Sequence, residues 1–92
     1  MIQSFRDKRT KALFEGACPK QWLSFRKVAE RKLTMLDAAA SLEFLRVPPG
    51  NRLEALKRDR LGQWSIRIND QWRVCFRWEG GHAVDVEIVD YH

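Results

Sequence analysis

A chain of 92 residues has room for one domain with its own core, and its 45% hydrophobic residues and four tryptophans can build that core without a metal or disulfides. Seventeen lysines and arginines against 12 acidic residues give a net charge of +5, which favours polyanionic partners such as RNA or DNA. No apolar stretch approaches the roughly 20 residues of a membrane span, and the N-terminus lacks the apolar region of a signal peptide, so we expect a cytoplasmic protein that does not act at a membrane.

The two cysteines do not indicate a metal centre or a disulfide framework. Cys18 and Cys75 lie far apart in the sequence, without a Cys-x-x-Cys motif or a nearby histidine. Cys75 falls inside a predicted strand, where we expect it to pack in the interior. We therefore expect a protein that works without a metal or any other cofactor.

The first half of the chain has the periodicity of helices. Residues 1–5 can form a short strand, and Asp7 is a suitable N-cap for a helix that stops at Gly16. Pro19 opens the longest predicted helix, whose apolar stripe recurs every three or four residues at Trp22, Phe25, Ala29, Leu33, Leu36 and Ala40. A shorter helical segment at residues 41–45 ends before the prolines and glycine of residues 47–50.

Beyond Gly50 the apolar pattern changes to that of strands. Apolar and polar residues alternate in residues 64–68, 72–78 and 84–88, and residues 51–57 are predicted as a preceding strand. Residues 69–70 and 80–81 suit the tight turns of hairpins. The sequence therefore predicts an α+β fold in a single domain of residues 1–92, with N-terminal helices packed on one face of a C-terminal antiparallel sheet.

The face of the sheet opposite the helices is predicted to be basic. The strands and the loop before Trp64 place positive charge there through Arg67, Arg73, Arg77, Lys57, Arg58 and Arg60. Arginine suits phosphate because its planar group donates two charge-assisted hydrogen bonds to one phosphate. Cross-strand ion pairs and an ordinary solvated loop would use the same residues, so the charge alone leaves both roles open.

The chain ends on Asp90, Tyr91 and His92, which place a carboxylate, a phenol and an imidazole at the end of an apolar strand pattern. Strand pairing can hold such residues still, although chain termini usually fray. Imidazole exchanges protons near neutral pH, so His92 is a candidate general acid or base. The alternative is a strand that simply ends on polar residues.

Residues 49–60, followed by residues 62–76 and by the ending at 86–92, form a set of motifs in a fixed order and spacing. Together with residues 1–5 and 29–39, they resemble the HigB branch of the RelE/ParE toxins over essentially the whole chain. The resemblance implies a microbial-ribonuclease-like α+β fold and a ribosome-dependent mRNA endonuclease, or mRNA interferase. It also implies a helix-turn-helix antitoxin of the HigA type that inhibits the toxin and links it, only indirectly, to operator DNA.

Position by position, the resemblance implies that Lys57, Arg73, Asp90, Tyr91 and His92 form the active site. Cleavage by the RNA's own 2′-hydroxyl needs a base, cations at the oxygens that gain charge, and a proton for the departing 5′-oxygen. We expect His92 to transfer protons, Arg73 and Lys57 to stabilise the pentavalent phosphate, and Asp90 to orient a neighbour. Tyr91 either stacks on a base or shares in proton transfer. In an ideal strand Tyr91 points away from Asp90 and His92, so either the last residues curl or Tyr91 does not reach the same phosphate.

The basic surfaces outside this set are predicted to contact RNA or the ribosome. They comprise the polar face of the long helix and the arginines around the sheet, namely Arg26, Lys27, Arg31, Lys32, Arg58, Arg60, Arg67 and Arg77. Many relatives have glycine after the active-site lysine, whereas Arg58 follows Lys57 here and either stiffens the loop or adds a phosphate contact.

Two other functions use the same architecture or the same basic surface. A ParE-like toxin poisons DNA gyrase by binding and has no nuclease site, and Lys57 with the ending at residues 90–92 argues against it. A noncatalytic RNA-binding or ribosome-associated protein would need only the positive charge.

Overall fold

The computed structural model describes residues 1–91. Within them, two α-helices precede a four-stranded antiparallel sheet, which confirms the predicted α+β architecture. The elements are α1 (Lys8–Phe14), α2 (Arg26–Ala38), β1 (Glu54–Ala55), β2 (Trp64–Arg67), β3 (Trp72–Glu79) and β4 (His82–Asp90). The strands form a meander in the order β1-β2-β3-β4. None of the helices in residues 1–91 is long and apolar enough to cross a membrane.

Helix α1 begins at its predicted cap and is fixed to the last strand. Asp7 Oδ1 accepts a hydrogen bond from the N–H of Arg9 at 3.1 Å, and Asp7 Oδ2 accepts one from Thr10 Oγ1 at 3.1 Å. The buried Thr10 Oγ1 in turn accepts the N–H of Ile88 in β4 at 2.9 Å. The cap therefore links the start of α1 to the strand that carries the end of the chain.

The predicted long helix is interrupted. Lys20–Phe25 forms a 3₁₀ helix, and α2 follows it directly. Both Trp22 and Phe25 pack against Trp72 of β3, at ring-centroid distances of 6.2 and 5.2 Å. Ala40, which the apolar stripe places in the core, is exposed because α2 has ended before it.

The helices cover one face of the sheet. The buried residues of β2, β3 and β4 on this face pack against those of α2, and they include Ile66, Val74, Phe76, Ala83, Val86 and Ile88. Strand β4 contains a bulge at Asp85, whose φ is 53°. Between two successive pairs, β4 advances by three residues from Val84 to Glu87 while β3 advances by two. The bulge shifts the alternation, so Ala83 is fully buried while Val84 is only half-buried.

The other face of the sheet is partly covered as well. Ser65 and Cys75, which pair across β2 and β3, are fully buried on it. The loop before β2 reaches over this face, where Arg60 Nη1 donates to Glu87 Oε2 at 3.3 Å. The burial of Cys75 confirms its expected packing role.

One predicted strand is shorter than expected, and another does not form in the described residues. Of residues 51–57, only the two residues of β1 pair with β2, because 3₁₀ turns at Pro49–Asn51 and Arg58–Arg60 flank them. Residues 1–5 form single parallel bridges to β4 at Ile2 and Phe5 instead of a strand.

Candidate active site

Arg73 lies at the centre of the candidate site. It is on β3 opposite Arg67 of β2, and its side chain is only 13% exposed. Arg73 Nη1 donates to Ser65 Oγ and, at 3.2 Å, to Glu54 Oε1. Arg67 is in turn paired with Asp70. These contacts hold two like charges side by side on adjacent strands, an arrangement that would otherwise be repulsive.

Tyr91 covers the guanidinium of Arg73. The Cζ atom of Arg73 lies 5.4 Å from the centroid of the Tyr91 ring, which is within the range of a cation–π interaction. The N–H of Tyr91 donates to the carbonyl oxygen of Gln71 at 2.6 Å, so backbone hydrogen bonding continues one residue beyond β4. The structure therefore brings Tyr91 and Arg73 together on the face opposite the helices.

Asp90 lies on the other face. It pairs with Trp72, whose ring packs against the helix-side core, and paired residues direct their side chains to the same face. Its Oδ2 accepts a hydrogen bond from Gln71 Nε2 at 3.1 Å. In the described chain, alternation thus separates Asp90 from Tyr91, and it is Tyr91 that contacts Arg73. His92, the predicted proton-transfer group, lies outside the described residues.

A cavity of about 350 Å³ opens beside Tyr91. It is lined by Glu54, Ala55, Leu56, Lys57, Arg58 and Tyr91. Lys57 is exposed, and Glu54 connects the cavity to Arg73. Two of the five predicted site residues, Lys57 and Tyr91, therefore line one cavity, and a third, Arg73, contacts the lining residues Glu54 and Tyr91.

The backbone at Arg58 has a conformation that favours glycine. Arg58 has a φ of 55°, in the left-handed region that glycine adopts without steric cost. A residue with a Cβ atom adopts this conformation at a cost of about 1 to 2 kcal/mol. The loop of this chain thus keeps a conformation that suits glycine while it places an additional cation at the cavity.

A larger cavity, of about 620 Å³, lies between the start of α1 and the end of β4 and is less suited to bind phosphate. Its basic and acidic groups are equal in number, with Arg6, Lys8 and Arg9 against Asp7, Glu87 and Asp90. Balanced charge gives little attraction for a polyanion. In residues 1–91, no group of three or more His, Cys, Asp or Glu side chains is placed to hold a metal ion.

The other arginines predicted to contact RNA around the sheet are mostly engaged within the protein. The ion pairs are Arg60 with Glu87, Arg67 with Asp70, and Arg77 Nε with Asp85 Oδ2 at 3.9 Å. Partly exposed pairs contribute little to stability and can exchange partners. Their RNA contacts stay predictions.

The basic face of α2 is smaller than predicted. Lys27 and Arg31 are exposed and Arg26 is half-buried. Lys32 is 7% exposed, and its Nζ donates to Asn51 Oδ1. Burial lowers the pKa of Lys32, with a smaller contribution from the charge of Arg31. The expectation that Lys32 lies on the exposed face is therefore wrong, because the loop that follows α2 folds over it.

Glu54 and Ser65 contact Arg73 but are not among the predicted site residues. Alternation alone places Ser65 on the same face as Arg67, which was a usable signal. Ser65 lies diagonally across from Arg73 because of the register of the β2–β3 hairpin. Glu54 reaches Arg73 because the two-residue strand β1 pairs with β2. Neither register can be read from the residue pattern.

Cys75, beneath this site, makes stability depend on pH. Burial raises the pKa of the Cys75 thiol from 9.0 to about 11. The charge of Arg60 lowers this pKa and that of Glu87 raises it, both by less than burial does. Below pH 9 the thiol is neutral in both folded and unfolded chains, so the stabilisation is fully present; it is lost as pH rises toward 11, because only the unfolded chain ionises readily. We expect the free energy of unfolding, measured in urea, to fall by up to about 2 to 3 kcal/mol over this range from this group alone.

The Cys75→Ala variant is the control, because it lacks the thiol and reports the contribution of all the other groups of the protein. The wild-type protein should show the steeper fall. Equal slopes for the two proteins would contradict the prediction.

Comparison with a solved structure first identifies the class of fold. The YoeB–YefM complex from Staphylococcus aureus contains a chain that superimposes with a TM-score of 0.60, covering 100% of this chain and 98% of that one, at 19% sequence identity. The likeness shows a shared RelE-like α+β fold. Residues 3–92 match the family model HigB-like toxin, described as a RelE-like toxin of the type II toxin–antitoxin system HigB. The chain therefore belongs to this HigB-like toxin family.

Two curated relatives agree with this family. Toxin HigB-1 of Vibrio cholerae serotype O1 is 38% identical over 87 residues, which cover 92% of each chain. Endoribonuclease HigB of Proteus vulgaris is 35% identical over 100 aligned positions, which cover 100% of each chain. The predicted HigB-type membership in the RelE superfamily is thus confirmed.

Proposed function

We propose that this toxin is a ribosome-dependent endoribonuclease that cuts mRNA in the cytoplasm. The observation that carries the proposal is the setting of Arg73, a largely buried cation with Tyr91 over it, beside an open cavity lined by Lys57. A cation held at the edge of a cavity suits the binding of a single backbone phosphate. The endoribonuclease name of the Proteus vulgaris relative supports the same activity.

The proposed reaction is attack by the RNA's own 2′-hydroxyl. The 2′-oxygen bonds to the adjacent phosphorus, and the bond from phosphorus to the 5′-oxygen breaks. Arg73 and Lys57 stabilise the charge of the pentavalent phosphate, and His92 transfers protons. Tyr91 either stacks on a base or shares in proton transfer, while Asp90 orients a neighbour from the other face of the strand. Side chains supply both the protons and the positive charge, so the proposed chemistry calls for no metal ion.

The proposed partner is a HigA-type helix-turn-helix antitoxin. Two observations support an antitoxin: the family model belongs to a toxin–antitoxin system, and the structure with the shared fold is a YoeB–YefM complex. In this proposal the antitoxin holds the nuclease inactive and binds operator DNA, so the toxin reaches DNA only indirectly.

Purified protein is expected to cut mRNA on translating ribosomes and to leave the same free mRNA largely intact. The site is an open cavity with few side chains, so it does little to hold a flexible RNA in line for attack. Positioning by the ribosome would supply this constraint, which intramolecular models place at up to about 7 to 11 kcal/mol. Primer extension on one mRNA, with and without ribosomes at physiological salt, measures the difference.

Exposed charge on α2 provides a second arm of the same experiment. A Lys27→Glu and Arg31→Glu double variant is expected to bind ribosomes more weakly. The matched control is a Lys8→Glu and Lys11→Glu double variant on α1, which changes the net charge equally and should bind as the wild-type protein does. Efficient cleavage of free mRNA would contradict ribosome dependence. Ribosome binding without cleavage would favour the noncatalytic alternative, and accumulation of gyrase-linked DNA breaks would favour a ParE-like toxin.

A further inference from the structure

Ser65 is a buried hydroxyl that touches the centre of the candidate site. It lies on β2, is 0% exposed, and pairs with Cys75 across β3. Its Oγ accepts a hydrogen bond from Arg73 Nη1. A buried hydroxyl needs a partner, and here the partner is the cation proposed to bind the scissile phosphate.

The way Arg73 is held leaves one edge of its guanidinium for a ligand. Both hydrogen bonds that it makes among the described residues use Nη1, one to Ser65 and one to Glu54. The edge formed by Nε and Nη2 is the one that remains for a two-pronged interaction with phosphate oxygens. The Tyr91 ring lies over the face of the guanidinium, not along this edge.

Ser65 and Glu54 differ in how they can act once a phosphate is present. Glu54 is 49% exposed and lines the cavity, so its carboxylate would repel an incoming phosphate and can turn away into solvent. Ser65 is neutral and enclosed by the sheet, so its hydroxyl stays in place. Of the two contacts, the one with Ser65 is compatible with a bound phosphate.

We propose that Ser65 is a positioning residue, which orients Arg73 so that its Nε–Nη2 edge faces the scissile phosphate. This inference rests on the proposed nuclease function. Ser65 does not touch the RNA and acts only through Arg73. Its contribution belongs to the transition state, where the charge on the phosphate oxygens is greatest.

The test measures cleavage on translating ribosomes with Ser65→Ala. We expect kcat to fall about 10- to 100-fold with little change in KM, since a misplaced catalytic group costs rate more than binding. In an Arg73→Lys background, Ser65→Ala should cause almost no further loss, because the group it orients is gone. Cys75→Ala, a buried change directly across the strand pair, is the matched control and should keep its activity.

A second readout does not depend on cleavage. The side-chain NMR signals of Arg73, identified by their loss in Arg73→Lys, should show slow rotation of the guanidinium in the wild-type protein and faster rotation in Ser65→Ala. Unchanged rotation in Ser65→Ala, or losses that multiply in the double variant, would overturn the inference. If rotation changes but the wild-type protein cuts no RNA, the positioning stands and the proposed nuclease function fails.

Discussion

Replacing Arg73 by lysine is expected to lower the rate of mRNA cleavage on the ribosome about 10²- to 10³-fold, the usual effect of removing one donor that stabilises the transition state. Lysine keeps the charge but loses the planar group that bonds to Ser65 through one nitrogen and leaves a second edge for phosphate. Single-turnover cleavage of mRNA in a programmed ribosome measures the rate.

The control for this variant is Arg46→Lys, a surface arginine that is paired with Glu43 outside the candidate site. It should cut at the wild-type rate. If Arg73→Lys also cuts at the wild-type rate, Arg73 contributes only its positive charge, and the two-pronged phosphate contact is ruled out.

Replacing His92 by alanine is expected to lower the cleavage rate about 10²- to 10⁴-fold, which is the typical contribution of a general acid or base. The change should also remove any dependence of the rate on pH near neutrality that arises from an imidazole. The expectation rests on the sequence, because His92 lies outside the described residues. The pH–rate profile of the variant on ribosomes is the measurement.

A thermal melt shows whether the His92→Ala protein is folded. The core formed by residues such as Ile66, Val74 and Phe76 lies elsewhere, so the melting temperature should hardly change. A folded His92→Ala protein with full activity would remove His92 from the mechanism and leave Tyr91 as the nearest described candidate for proton transfer.

Alternation along the chain accounts for most of the fold and for part of the site. The strict period of two in β2 and β3 correctly places Arg67 and Arg73 together on the face opposite the helices. The same rule anticipated that Tyr91 and Asp90 would separate, which they do in the structure. These features follow from local geometry and need no knowledge of distant contacts.

The features that could not be predicted depend on long-range packing. Lys32 reads as a surface residue of an amphipathic helix, but the loop containing Asn51 folds over it. Ser65 reads as an ordinary polar residue of a strand, but strand register makes it a partner of Arg73. In each case the deciding contact joins two different elements of the fold. A local sequence pattern does not encode how such elements are placed relative to each other.

The attachment of the first residues to β4 has a consequence for when the toxin becomes active. Contacts between Ser4 and Asp85, and between Thr10 and Ile88, span 81 and 78 positions of the chain. Contacts of such sequence separation form late in folding. The chain between the two residues loses conformational entropy before the contact can stabilise it. A chain synthesised only as far as β3 lacks the strand that holds Tyr91 in place, so we expect it to have no assembled site. The topology thus makes assembly of the candidate site wait for β4, which follows both helices and the other three strands along the chain.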